Sequence, residues 1–83
     1  MKAFVYRSGR NADTYLYLRE RDAFACLPPA LAQRLAPLVF VLELELAPAR
    51  RLAREDPRVV RANLEAHGYH VQLPPPPDGS LRR

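Results

Sequence analysis

Three side chains in this sequence have the chemistry of a nucleophile, a general base or a soft metal ligand: Cys26, His67 and His70. Hydrolytic or redox catalysis needs a nucleophile, a base and an orienting group within hydrogen-bond reach of one another. Cys26 lies in AFACLPP, an apolar setting that keeps a thiol protonated and inert, so it is expected to be a small buried packing residue. His67 falls at the expected end of a helix, beside Gly68, where the helix dipole favours a partly charged imidazole. His70 follows in a strand. Because Gly68 ends the helix between them, the two histidines make no helical metal pair, and no third ligand accompanies them. Glu43 and Glu45 share one side of a strand and read as a solvated polar edge rather than an acid pair. Gly9, Gly68 and Gly79 are too scattered to build a phosphate-cradling loop. No catalytic residue, cofactor or metal is therefore expected.

The remaining chemistry is that of binding. Arg50, Arg51, Arg54, Arg58 and Arg61 are close enough to form a ridge along two short helices and contact phosphates. Phe4, Tyr6, Tyr15 and Tyr17, flanked by Arg7 and Arg19, would offer bases a stacking surface. Together they make single-stranded RNA the alternative ligand. Against it, Glu55, Asp56 and Glu65 interleave the ridge and Pro57 breaks its helical continuity. The stretch GYHVQLPPPP, residues 68–77, carries the preferred reading, a protein-interaction module. Prolines lack an N–H and must leave the strand. Four of them in the polyproline II form extend roughly 12 Å with their carbonyls free, which an aromatic groove recognises. The expected partner-binding residues are Tyr6, Arg7, Tyr15, Tyr17, Gln72, Pro74, Pro75, Pro76 and Pro77. A split is expected within the run, Pro74 and Pro75 packing on the domain and Pro76 and Pro77 presented.

The elements that must position these groups follow from pattern. AFVYR (3–7) and TYLYLR (14–19), separated by Ser8, Gly9, Asn11 and Asp13, read as a β-hairpin. Pairing residues whose numbers sum to 21 sets Tyr6 opposite Tyr15 and Phe4 opposite Tyr17, gathering the aromatics on one side. Leu38 to Leu46 starts as a solid apolar run and ends in alternation, predicting a strand buried on both faces that becomes half-exposed. Tyr69 to Leu73 is the fourth strand. Pro29 to Leu35 reads as a short helix ended by Pro37, and Pro48 to Arg54 as another turn or two. Asp56, Pro57 and Gly68 bracket the best helix, Pro57 to His67, with Val60, Leu64 and His67 on one face. The order is ββαβααβ: an α/β fold with a small mixed sheet of about four strands covered by helices.

The fragments VYRS (5–8), DTYLYL (13–18) and NLEAHGYHVQLPPPP (63–77), with their spacing, resemble the YcgL-domain family of small bacterial proteins. The resemblance runs over nearly the whole chain, and the QLPPPP ending is its most specific element. It implies an α/β/α sandwich, with helices over both faces of the sheet, and brings with it no catalytic residue or cofactor.

Composition agrees with a small domain of this kind. At 83 residues, only about 60% of the unfolded surface can be buried, so the core must be compact. Residues 1–77 are expected to form one domain and 78–83 a short flexible tail. The net charge of +4 owes two charges to Arg82 and Arg83, and Arg outnumbers Lys twelve to one, so charge alone is a weak sign of nucleic acid. Arg7 and Arg10 interrupt any leader-like apolar stretch, and the longest apolar run is far short of the ~20 residues a membrane helix needs. A single cysteine forms no internal disulfide and suits a reducing cytoplasm. The expectation is a cytoplasmic, non-enzymatic adaptor, a monomer or weak homodimer, with a protein partner and no membrane.

Overall fold

The computed structural model describes residues 1–46 and 56–74. Its elements are β1 (Lys2–Ser8), β2 (Tyr15–Leu18), a 3-10 turn (Phe24–Cys26), α1 (Pro29–Leu35), β3 (Leu38–Glu45), α2 (Pro57–His67) and β4 (Tyr69–Gln72). The expected α/β architecture with four strands is present. The strands form one sheet in the order β3-β1-β2-β4, and every pairing is antiparallel rather than mixed. The helix expected at 48–54 and the tail at 78–83 lie outside the described residues.

Both helices begin and end where local chemistry dictates. Pro29 opens α1, its missing N–H costing nothing in a first turn. Asp56 caps α2 by accepting the Arg58 N–H over 2.9 Å, Pro57 follows, and Gly68 closes the helix at φ 85°. A side chain at Gly68 would be strained in that left-handed region.

Two apolar layers flank the sheet. On one face, Val60 and Leu64 of α2 pack on Ala3, Val5, Tyr17 and Leu46. On the other, Leu27 and Leu35 pack on Tyr6, Leu16 and Leu18, joined by the partly buried Phe24 and Leu31. Helical segments thus cover both faces of the sheet. His67, expected on one face of α2 with Val60 and Leu64, is exposed while those two are buried, and its ring lies 6.0 Å from that of Tyr69.

The hairpin register differs from expectation by one residue. The partners are Phe4–Leu18, Val5–Tyr17, Tyr6–Leu16 and Arg7–Tyr15, so opposite numbers sum to 22. The loop sets this. Ser8 N–H donates to the Thr14 carbonyl over 3.0 Å, enclosing residues 9–13, and Asp13 takes φ 58°. Ser8 Oγ accepts from the N–H groups of Arg10 and Asn11 and donates to the Leu35 carbonyl over 2.7 Å, fixing the loop to the end of α1. Since both faces are buried, each needs bulk, and one tyrosine goes to each: Tyr6 faces α1 and Tyr17 faces α2.

β3 also departs from expectation. Its apolar run is not sandwiched; Val39, Phe40, Val41 and Leu42 are all exposed by a third or more. β3 is an edge strand, paired among the described residues with β1 alone, while α2 lies over β2 and β4. The ladder to β1 shifts between Val5, opposite Leu42, and Tyr6, opposite Phe40, leaving Val41 as an extra residue in a bulge.

Candidate partner-binding site

β3 presents a four-residue apolar edge, bounded on one side by Pro37 and on the other by Glu43 and Glu45. Lys2 Nζ lies 3.3 Å from Glu43, and the Met1 amine donates to Glu45 over 2.7 Å. That amine, by hydrogen bond and then by charge, holds the Glu45 carboxyl below the usual range. Charge and proline are the usual protections of a sheet edge. Here they guard its ends and leave Val39–Leu42 open.

An aromatic cluster supports the middle of this edge. The Tyr6 ring meets Phe24 edge-on with centroids 5.0 Å apart, and Phe40 edge-on at 5.5 Å. The Arg21 guanidinium lies over the Phe40 ring, 4.2 Å from its centroid. Beneath them the Tyr6 hydroxyl donates to Asp22 Oδ1 over 2.9 Å and accepts the Asp22 N–H over 2.8 Å. Loss of hydration on burial is the main reason the Tyr6 phenol is pushed above its ordinary pKa. The surface pair Phe40 and Arg21 is thus seated on buried, hydrogen-bonded support.

The residues expected to bind partners divide. Tyr6 and Tyr17 are core, 2% and 6% exposed, and neither can present its ring to a ligand. Tyr15 is half-buried beside the α2 layer, and Arg7 is exposed. Gln72 is buried, its Oε1 accepting from the Tyr17 hydroxyl over 2.9 Å. These corrections share one cause: helical segments cover both faces, so the hairpin tyrosines are needed as core. Pro74 is exposed rather than packed, and Pro75, Pro76 and Pro77 lie outside the described residues.

The arginine ridge is only partly in view, since Arg50, Arg51 and Arg54 also lie outside the described residues. Arg58 is held by Asp56 at 3.2 Å and Arg61 by Glu65 at 3.5 Å, one turn along the helix. With the tyrosine platform closed, the features that suggested RNA do not converge among the described residues.

His70 faces α2 and is buried, its Nδ1 2.9 Å from Asn63 Nδ2 and its ring edge-on to Tyr17. Cys26 corrects the expectation of burial. The 3-10 turn sends Leu27 and Phe24 inward and leaves the thiol exposed, close to Gly68. Among the described residues, no group of three or more His, Cys, Asp or Glu side chains is placed to hold a metal.

Phe40 and Arg21 are what sequence reasoning missed. An apolar run looks the same whether it is a buried strand or an open edge; the signal available was its flanking by Pro37 and the two glutamates.

Comparison with known proteins gives a consistent result. A family model described as the YcgL domain matches residues 3–75. A YcgL domain-containing protein of Xanthomonas campestris pv. campestris (strain B100) is 50% identical over 74 residues, covering 89% of this chain and 86% of the relative. A YcgL domain-containing protein of Thioalkalivibrio sulfidiphilus (strain HL-EbGR7) is 47% identical over 75 residues, covering 90% of this chain and 93% of the relative.

Proposed function

This chain belongs to the YcgL domain family, and from there we propose that it is a cytoplasmic, non-enzymatic adaptor that binds a partner protein along the edge of β3. The partner contributes an extended segment with apolar and acidic residues, added as a fifth strand. The observation that carries this reading is the open run Val39–Leu42 on an outermost strand. Such edges are normally blocked along their length, because they template strand pairing.

Charge complementarity selects the partner's chemistry. Arg21 stands over Phe40 with no ion-pair partner among the described residues, and the chain carries a net charge of +4. Aromatic residues and arginine are enriched at protein interfaces. Backbone hydrogen bonds along β3 would supply affinity, and Phe40 with Arg21 the preference for an acidic neighbour. Among the described residues, no helix is long and apolar enough to cross a membrane.

A photo-crosslinking residue at Phe40 in the full chain, expressed in its native cell, tests the proposal. The expected product joins β3 to an extended, acidic segment of another protein, and Val39→Lys with Leu42→Lys abolishes it without unfolding the domain. A product joining two copies of β3, or none at all, overturns the proposal, the former in favour of a homodimer.

A further inference from the structure

A second surface, at the opposite edge of the α1 face, has the composition of a small-molecule site. Three elements meet there around a cavity of about 510 Å³. The β1–β2 loop contributes Arg10, Asn11, Ala12 and Thr14; α1 contributes Leu31, Arg34 and Leu35; the end of β4 contributes Val71, Leu73 and Pro74. That volume lies within the range of pockets that hold small organic ligands.

The lining is sorted by chemistry. Leu31, Leu35, Val71 and Leu73 make an apolar wall, and Leu73 is 68% exposed. Among the described residues of the lining, the two charged ones, Arg10 and Arg34, are both cationic, and no carboxylate joins them. Neither forms an ion pair with a described residue, unlike Arg58 and Arg61.

The walls are also fixed in place. Asn11 Nδ2 donates to the Arg34 carbonyl over 2.6 Å, Ser8 Oγ to the Leu35 carbonyl over 2.7 Å, and Gly9 N–H to the Pro37 carbonyl over 2.7 Å. The first two bonds satisfy the Arg34 and Leu35 carbonyls at the end of α1, and they tie the loop carrying Arg10 to the helix carrying Arg34. A site whose supporting bonds are made within the protein loses little order on binding.

We propose that this cavity binds a small amphipathic oxyanion, a carboxylate or phosphate head on an apolar chain. Arg10 and Arg34 receive the head, because a guanidinium matches two oxygens of either group in one plane. Leu31, Leu35, Val71 and Leu73 receive the chain. The proposal is independent of β3, which lies at the other edge of the sheet.

Amide chemical shifts of the full chain, titrated below micelle-forming concentrations with octanoate, octyl phosphate, octanol or acetate, test it. Octanoate and octyl phosphate are expected to shift Arg10, Asn11, Thr14, Leu35, Val71 and Leu73, and whichever binds more tightly identifies the head. Octanol and acetate, each with half of the required chemistry, should bind at least about tenfold more weakly. Arg10→Gln with Arg34→Gln should weaken octanoate to the level of octanol with an unchanged melting temperature. Arg58→Gln with Arg61→Gln, the same change in charge elsewhere, should leave it bound. Octanol binding as well as octanoate, equal loss in both double variants, shifts confined to other residues, or no shifts would each overturn the proposal.

Discussion

Tyr6 and Asp22 hold each other through two hydrogen bonds: the phenol donates to the carboxylate over 2.9 Å and accepts the Asp22 N–H over 2.8 Å. Asp22 has φ 61°, a backbone region that aspartate tolerates better than most residues. One side chain thereby closes a layer of the core, pins the turn after β2 and supports Phe40 from below.

Tyr6→Phe keeps the ring and removes both bonds, leaving the Asp22 N–H without its partner. Loss of about 1–3 kcal/mol is expected, the cost of an unpaired polar group in a half-buried site. Urea denaturation with an unchanged slope would measure it. Stability equal to the parent would show that the pair contributes nothing net.

Gly9 is required by a close approach, not by its backbone angle. A Cβ there would lie 2.9 Å from Pro37 Cγ and 3.2 Å from the Pro37 carbonyl oxygen. Neither the ring nor the backbone can swing away, so Gly9→Ala must push the hairpin loop from the β3 entry. A loss of about 1–3 kcal/mol is expected from overpacking. Because Gly9 N–H also donates to the Pro37 carbonyl, amide exchange at Gly9 should accelerate more than at Leu16. Equal acceleration at both would point to global destabilisation without local displacement.

Asp56 should make stability depend on acid pH. Its carboxyl lies below the ordinary aspartate range, chiefly through the Arg58 side-chain hydrogen bond and then through the Arg58 N–H at the helix start. A carboxylate depressed in the folded state stabilises fully above its unfolded pKa and loses that contribution as pH falls through the folded one. Asp56→Asn retains a capping oxygen without the charge. Its melting temperature should fall below the parent's at pH 7, and the two should converge below about pH 4. A gap that persists undiminished into that range would assign the effect to cap geometry alone.

Cys26 is exposed, so its substitution should be nearly silent. Iodoacetamide is expected to label the folded protein stoichiometrically, and Cys26→Ser should shift the melting temperature by no more than a degree or two, within the range of surface substitutions. Protection of the thiol until the chain unfolds would contradict its placement.

What the sequence determined by itself was local. Pro29, the Asp56–Pro57 pair and Gly68 bound α1 and α2 at the expected residues, because caps, proline rings and a left-handed glycine act within a few residues of themselves. The fragments VYRS and DTYLYL and the QLPPPP ending also sufficed to identify the family, since identity of residues needs no knowledge of contacts. Which side each residue faces, and what lies against it, only the tertiary structure decided. The hairpin shifted by one because Ser8, Thr14 and the end of α1 set the loop, reversing which strand residues share a side. Tyr6 and Tyr17 became core because both faces of the sheet are covered, and Val39–Leu42 became surface because β3 is the edge away from α2, which lies over β2 and β4. Strand order brings together residues far apart in the chain, and a pattern of period two carries no record of the neighbours that will cover it.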